Sequence, residues 1–252
     1  MINLYRQAAS TLRTSLLIRP ISLLLAGFSL CLPGLLHAET ITRPFTAQYE
    51  VSRNDSKIGE RIHQLSKTGD GYLFEARMHT TGLAALLKPG EVTERSHWLL
   101  NNNRVQPQHY EYLDSSDNSR TTRLQFDWQH QRVTNRIGDK PWGMDIPTGT
   151  QDKFGYMLAL MHDLQQGNTA PEYQIADGGR LKTYRFVSEG KVLLDTVLGK
   201  LETIKLQRIR VGKKNRKIFI WCAPSLGYLP VKIERHKKDT VYTMLIQKIE
   251  GP

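Results

Sequence analysis

The chain has 252 residues, with 35 Lys and Arg against 24 Asp and Glu and a formal net charge of +11. Its two cysteines are Cys31, inside an N-terminal leader-like segment, and Cys222. A chain that loses the leader keeps one thiol, which excludes an intramolecular disulfide and a cysteine-based metal site.

Residues 1–38 differ from everything after them. Arg6, Arg13 and Arg19 are their charged residues, an apolar run extends from Ile21 to Leu36, and Leu36-His37-Ala38 precedes Glu39. A basic start, an apolar middle and a small residue before the cut are the parts of a cleaved secretory signal. Pro33-Gly34 interrupts the run, which is short for a span of about 20 residues, so no stable transmembrane span is expected after cleavage. Leu30 before Cys31 argues against lipid attachment. The expected organisation is a signal at 1–38 and one β-rich domain at 39–252, located in the periplasm. Cleavage removes three basic residues and leaves a formal charge of +8. Basic proteins attract polyanions. Export removes nucleic acid from the expected partners and leaves lipids and anionic envelope components.

The remaining chain alternates short runs with turn chemistry. Phe45, Ala47, Tyr49 and Val51 repeat at period two, the mark of a half-buried strand. Asn54-Asp55-Ser56 turns the chain into Ile58–Leu65, and Thr68-Gly69-Asp70-Gly71 turns it back into Tyr72–Met78. Asn101-Asn102-Asn103, Ser115–Asn118, Gln129–Gln131, Asp177-Gly178-Gly179, Glu189-Gly190, Gly199-Lys200, Gly212–Asn215 and Lys237–Asp239 punctuate further runs. Turns this regular predict consecutive hairpins, about a dozen strands in an antiparallel meander.

Gln151–Gln166 breaks the pattern. Phe154, Met157, Leu158, Met161 and Leu164 follow helical spacing, Thr148 or Thr150 is the expected cap, and Gly167 the expected stop. Tyr156 and Leu160 widen the apolar face, so this helix should be buried. The predicted fold is mainly β: a curved, half-barrel-like antiparallel sheet wrapping one central α-helix. Gly82–Leu87 is short and apolar, and reads as a helical turn or as a hydrophobic loop at a pocket mouth.

The order of Phe45–Val51, Gly59, Pro107 with Tyr110, Phe126-Asp127-Trp128, Gln151-Asp152, Gly199, Trp221 with Ala223, and Leu229-Pro230-Val231 resembles the proteobacterial envelope family of the domain of unknown function numbered 3108. More distantly the chain is similar to the periplasmic lipoprotein-carrier superfamily, in which a curved sheet holds helices in its concavity. The first resemblance implies no activity. The second implies a fold with room for a ligand, although one long helix is legible here where the carriers have more.

No phosphate loop, nucleophile elbow or zinc-protease motif occurs, so the reading leans away from an enzyme. No catalytic residue, cofactor or metal is called for. Asp152 is expected at the positive end of the helix, accepting backbone N–H bonds. Asp127 is expected to bond at a strand end, and Cys222 to be a buried hydrophobe. His63, His79, His97 and His109 are expected as scattered surface or edge residues. The leading function is the binding or carriage of a lipid-like or amphiphilic envelope ligand, with Leu83, Leu86, Leu87, Met157, Leu160 and Met161 lining or gating an apolar groove. Arg208, Arg210, Lys213, Lys214, Arg216 and Lys217 would form an anionic-ligand surface. The alternatives are an envelope structural or protein-interaction module, and a hydrolase of envelope glycans or lipids.

Overall fold

A computed structural model describes residues 40–82, 85–86, 90–137, 140–209 and 216–251. In chain order the strands are β1 (Phe45–Arg53), β2 (Ser56–Thr68), β3 (Gly71–Thr80), β4 (Glu91–Asn101), β5 (Arg104–Asp114), β6 (Thr122–Asp127), β7 (Arg132–Ile137), β8 (Lys140–Asp145) and β9 (Gln151–Asp152). Helix α1 (Tyr156–Gln165) follows. Then come β10 (Glu172–Asp177), β11 (Arg180–Thr196), β12 (Gly199–Ile209), β13 (Arg216–Ala223), β14 (Leu229–Lys237) and β15 (Thr240–Glu250).

All 15 strands form one sheet, in which β1 through β8 run outward on one side and β15 back through β9 on the other. The first and last strands pair antiparallel, Ala47 opposite Ile249, so β8 and β9 are the two edges. The fold is the expected meander around a helix, with more strands than the sequence resolves. Asn54-Asp55 and Asn102-Asn103 carry the expected turn chemistry, both at positive φ, the conformation that two-residue hairpin loops need, but Glu189-Gly190 is no turn: it is a bulge inside β11, which runs on through it to Thr196.

The helix starts later than its periodicity suggests. Gln151 and Asp152 are extended and pair in parallel with Ile175 and Ala176 of β10. Thr150 Oγ1 is committed to the Pro147 carbonyl. The helix is capped at Gly155 without a side-chain bond, and Asp152 Oδ1 receives the N–H groups of Phe154 (2.8 Å) and Gly155 (2.6 Å) in the turn just before it. The helix ends as expected, with Gly167 at φ 82.

Packing divides the sheet into two ends. At one, α1 touches β5 and β14, which lie far apart in strand order, so the sheet bends around it. His162 Nε2 bonds the Asn103 carbonyl in the β4–β5 turn at 2.7 Å, and Gln165 Nε2 bonds the Gly227 carbonyl in the β13–β14 turn at 3.0 Å. Beneath the helix, Phe154 stacks on Phe74 at 4.2 Å and Leu158, Leu160 and Leu164 are buried. We call this the closed end. At the other end lie the β1–β2, β5–β6 and β14–β15 turns and the strand ends flanking residues 81–90 and 210–215. Between the edges, Trp142 of β8 presses on Gly179 of the β10–β11 turn, where an added Cβ would lie 1.7 Å from the indole Cζ2.

Candidate ligand-binding concavity

Strand register defines the inner face. One row runs Leu65, Phe74, Ser96, Tyr110 and Leu124, and the next toward the open end runs His63, Ala76, Glu94 and Tyr112. The row after that holds Arg61, Met78, Val92 and Asp114. Burial of the apolar side chains falls along this series, whereas Asp114 stays buried. Phe74 and Ser96 are fully buried, whereas Met78, Val92 and Tyr112 keep partial exposure. In the other half Ile218, two residues before buried Ile220, is half-buried, and the row that holds buried Leu206 and Ile220 continues through half-buried Ile233 and Met244. The inner surface thus opens toward one end, with apolar and aromatic walls.

Its floor is polar. Arg61 Nη2 pairs with Glu94 Oε2 at 2.7 Å, both side chains about 15% exposed. Tyr110 donates its hydroxyl to Glu94 Oε1 at 2.8 Å. Lys153 lies 3.7 Å from the same carboxylate, with Nζ 4.2 Å from the Tyr112 ring centre. Burial alone would raise the Glu94 carboxyl, but Arg61, Lys153 and the bonds from Arg61 and Tyr110 hold it below the usual range. Arg61 Nε also donates to His63 Nε2 at 2.8 Å, and burial followed by the Arg61 charge pushes this imidazole well below its ordinary value. Ser96 Oγ donates to Asp152 Oδ2 at 2.6 Å. Burial dominates there and lifts the Asp152 carboxyl to about 6, against the pull of Gly155, Ser96 and Phe154.

Of the residues singled out in the sequence, Leu160 of α1 is fully buried, and Met157 and Met161 of the same helix are 7% and 2% exposed in the core. Leu86 is 80% exposed, while Leu83 and Leu87 lie outside the described residues. Arg208 faces inward, its guanidinium 4.0 Å from the Tyr184 ring centre. Arg216 pairs in register with Lys237 and Lys217 with His236. Arg210, Lys213 and Lys214 lie outside the described residues. Cys222 is buried, which pushes its thiol up. Asp127 bonds the backbone and ring of His130 in the β6–β7 turn. His97 and His109 meet edge to face at 6.1 Å in an outer groove with Glu111 and Arg123. No group of three metal-ligating side chains occurs among the described residues. Sequence reasoning missed Arg61, Glu94 and Lys153. Beside them, Gly155 closely approaches Asp152 and Ser96, since an added Cβ would lie 2.7 Å from each side chain.

An unclosed antiparallel sheet around a helix, plugged at one end and open at the other, is a half-barrel. Residues 48–246 match the family model described as "Protein of unknown function (DUF3108)", and the chain belongs to that family. No curated protein matches it. Its fold is similar to the crystal structure of a beta-barrel-like protein of the domain of unknown function DUF1849 from Brucella abortus. The TM-score is 0.56 at 10% identity, covering 84% of this chain and 98% of that one. A domain assigned as an outer membrane lipoprotein-sorting protein from Vibrio parahaemolyticus aligns at TM-score 0.26 and 11% identity, over 84% of this chain and 86% of its own. The first likeness speaks for the fold, and the second overlaps too loosely to argue from. Among the described residues no helix is long and apolar enough to cross a membrane.

Proposed function

We propose that residues 1–38 direct export of this protein to the periplasm and are then cleaved, and that it there binds or carries an amphiphile without transforming it. The observation that supports this most is the fall in burial along the inner face, from a solid core under α1 to half-buried Met78, Val92, Tyr112 and Ile218. Apolar walls with a few placed polar groups suit a ligand with an alkyl part and a polar head. Arg61 and Lys153 share Glu94 on the floor, and Arg208 on Tyr184 adds inward positive charge. Leu83, Leu86 and Leu87 would gate the mouth, and Met157, Leu160 and Met161 would back the floor. Native mass spectrometry of protein purified from its own envelope, with organic extraction, tests this. A discrete added mass that extracts as a lipid is expected. A bare polypeptide mass in repeated gentle preparations would overturn it.

A second reading rests on a different feature. β11 and β12 pair to their tip, from Arg185 opposite Ile209 to Thr196 opposite Gly199, while β13 covers β12 only from Ile204 to Arg208. The remaining two-stranded ribbon exposes Leu193 (63%) and Val197 (65%). Unpaired strand edges with exposed apolar side chains suit an envelope protein partner. Crosslinking from the ribbon tip in cells tests that role, and recovery of the same partner in repeated preparations is its expected signature.

A further inference from the structure

The outer face of the sheet carries a groove of about 610 Å³ across β4, β5, β6 and β7. It is built from the outward residues that alternate with the inner-face positions of the same strands, and strand register sets them in two rows. One row runs His97, His109, Gln125 and Thr134. The next runs Arg95, Glu111, Arg123 and Arg136. Neighbouring strands lie about 4.8 Å apart, and alternate residues of one strand about 6.6 Å. Side chains from both rows therefore reach a single small guest. The groove lies outside the concavity, so what it binds neither supports nor weakens the carrier reading.

The second row is unbalanced in charge. Arg95 bonds Glu75 Oε2 at 2.5 Å, and Arg77 pairs with Oε1 of the same carboxylate at 2.7 Å. Glu111 accepts from Arg123 Nε at 2.9 Å and lies 3.9 Å from Arg95 Nη1. Arg136 stands directly opposite Arg123 and has no ion pair among the described residues. Four guanidiniums thus share the Glu75 and Glu111 carboxylates, and the surplus falls at Arg123 and Arg136, both on the groove wall. Like charges directly opposite on neighbouring strands destabilise a sheet, and an anion bridging the two would remove that penalty. The first row adds neutral donors. The rings of His97 and His109, the Gln125 amide and the Thr134 hydroxyl each bring one or more, and none of these side chains has a hydrogen bond among the described residues. Guanidiniums match carboxylate and phosphate oxygens in pairs. Two opposed guanidiniums with a row of neutral donors beside them call for more oxygens and more charge than one carboxylate carries. We infer that this groove binds a phosphate group between Arg123 and Arg136, with the His97–His109 row donating to its remaining oxygens.

The test is titration of the ¹⁵N-labelled protein with inorganic phosphate at constant ionic strength, reading the ring nitrogens of His97 and His109 by NMR. Phosphate should shift them saturably in the millimolar range expected of so small a ligand. Acetate, with one charge on two oxygens, should not. Arg136→Gln removes an exposed cation that has no ion pair, so the variant should fold normally. It should weaken phosphate at least tenfold, because bonds between charged groups are lost. Arg136→Lys keeps the charge without the planar fork and should fall between the two. Arg53→Gln, on β1, removes the same charge outside the groove and should leave binding unchanged. Glucose 1-phosphate binding more tightly than phosphate would assign the group to an ester whose hydroxyls meet Gln125 and Thr134. Equal binding would assign it to free phosphate, and both outcomes uphold the site. Acetate matching phosphate would overturn the assignment, as would an equal loss in Arg53→Gln. Ring shifts with Zn²⁺ and none with phosphate would overturn it in favour of a metal-binding imidazole pair. The absence of any saturable shift would overturn it too, leaving an ordinary solvated face.

Discussion

The two ends of this half-barrel are built from the same strands, yet they use inward-facing residues differently. At the closed end each inward position meets α1 or a neighbouring strand, and Phe154 lies flat on Phe74 with an interplanar angle of 2°. Four residues further along, the inward Arg61, Met78 and Val92 are half-buried, while Asp114 in the same row stays buried. The polar floor of Arg61, Glu94, Ser96 and Asp152 lies at the boundary. The helix is too short to fill the barrel: its 10 residues give about 15 Å at 1.5 Å per residue. Strands of 9–13 residues, as in β1 and β2, run roughly twice as far at about 3.3 Å per residue. What the helix leaves uncovered is the concavity.

The sharpest way to break this contrast is to truncate one side chain at each end. Phe154→Ala should cost about 3–5 kcal/mol, because a fully packed ring is replaced by a cavity. Met78→Ala at the open end should cost about 1 kcal/mol, since much of that side chain already meets solvent. Urea unfolding midpoints at a constant m-value measure both. Equal losses would mean that the open end is as solid as the closed one, and the carrier reading would fail with it.

The boundary can be probed with pH. Asp152 is raised from 3.8 to about 6 in the fold, so the native state holds its proton more tightly than the unfolded chain. Its contribution is full below pH 3.8 and lost as pH rises through about 6, a change of about 3 kcal/mol. His63 acts in the opposite sense. Its folded value is lowered, so its contribution is present above its unfolded value near 6.5 and is lost on acidification. Between pH 6.5 and 4 the two offset each other in the wild type. Asp152→Asn keeps acceptor bonds from Phe154 and Gly155 and can donate to Ser96. Its stability should therefore fall on acidification through this window, where the wild type stays flatter. Thermal denaturation across the range reads the difference, and parallel profiles would show that Asp152 is not the group that titrates.

These residues also mark where the sequence stops being legible. The alternation of Phe45, Ala47, Tyr49 and Val51 announces β1 because its inward side is apolar throughout. In β4 the inward positions are Val92, Glu94, Ser96 and Trp98, and the outward ones are Thr93, Arg95, His97 and Leu99. Two apolar residues on one side against one on the other is too small a difference for period-two reading to choose a face, so the floor of the concavity stays hidden. The helix was legible in its core and stop, and misplaced at its start. Gln151 and Asp152 continue a helical pattern in one dimension, but β10 offers them a parallel partner that only the fold supplies. The half-barrel around a single helix was legible because turn chemistry recurs between nearly all the strands.

The seam between β8 and β10–β11 tests whether the two sides of the barrel act together. Gly179 has φ 73 and receives the Trp142 ring. Gly179→Ala should cost about 1–2 kcal/mol through backbone strain and displacement of the indole. In Trp142→Ala the ring is gone, so the same glycine change should cost only its backbone part. A double-mutant cycle by urea unfolding isolates the contact, and strict additivity would show that the edges do not communicate through it.

The smallest effect on stability carries the most information about function. Leu193→Ser and Val197→Ser change side chains that are 63% and 65% exposed at the ribbon tip, and each should move stability by less than about 0.5 kcal/mol. If the concavity is the working surface, the double variant retains whatever mass co-purifies with the wild type. If the ribbon is the working surface, the variant folds normally and loses its envelope crosslinks. A stability loss well above that limit would place the tip within the core packing that Val192, Leu194 and Leu201 already join. The ribbon would then be a structural extension of the closed end, and its exposed leucine and valine would carry no partner.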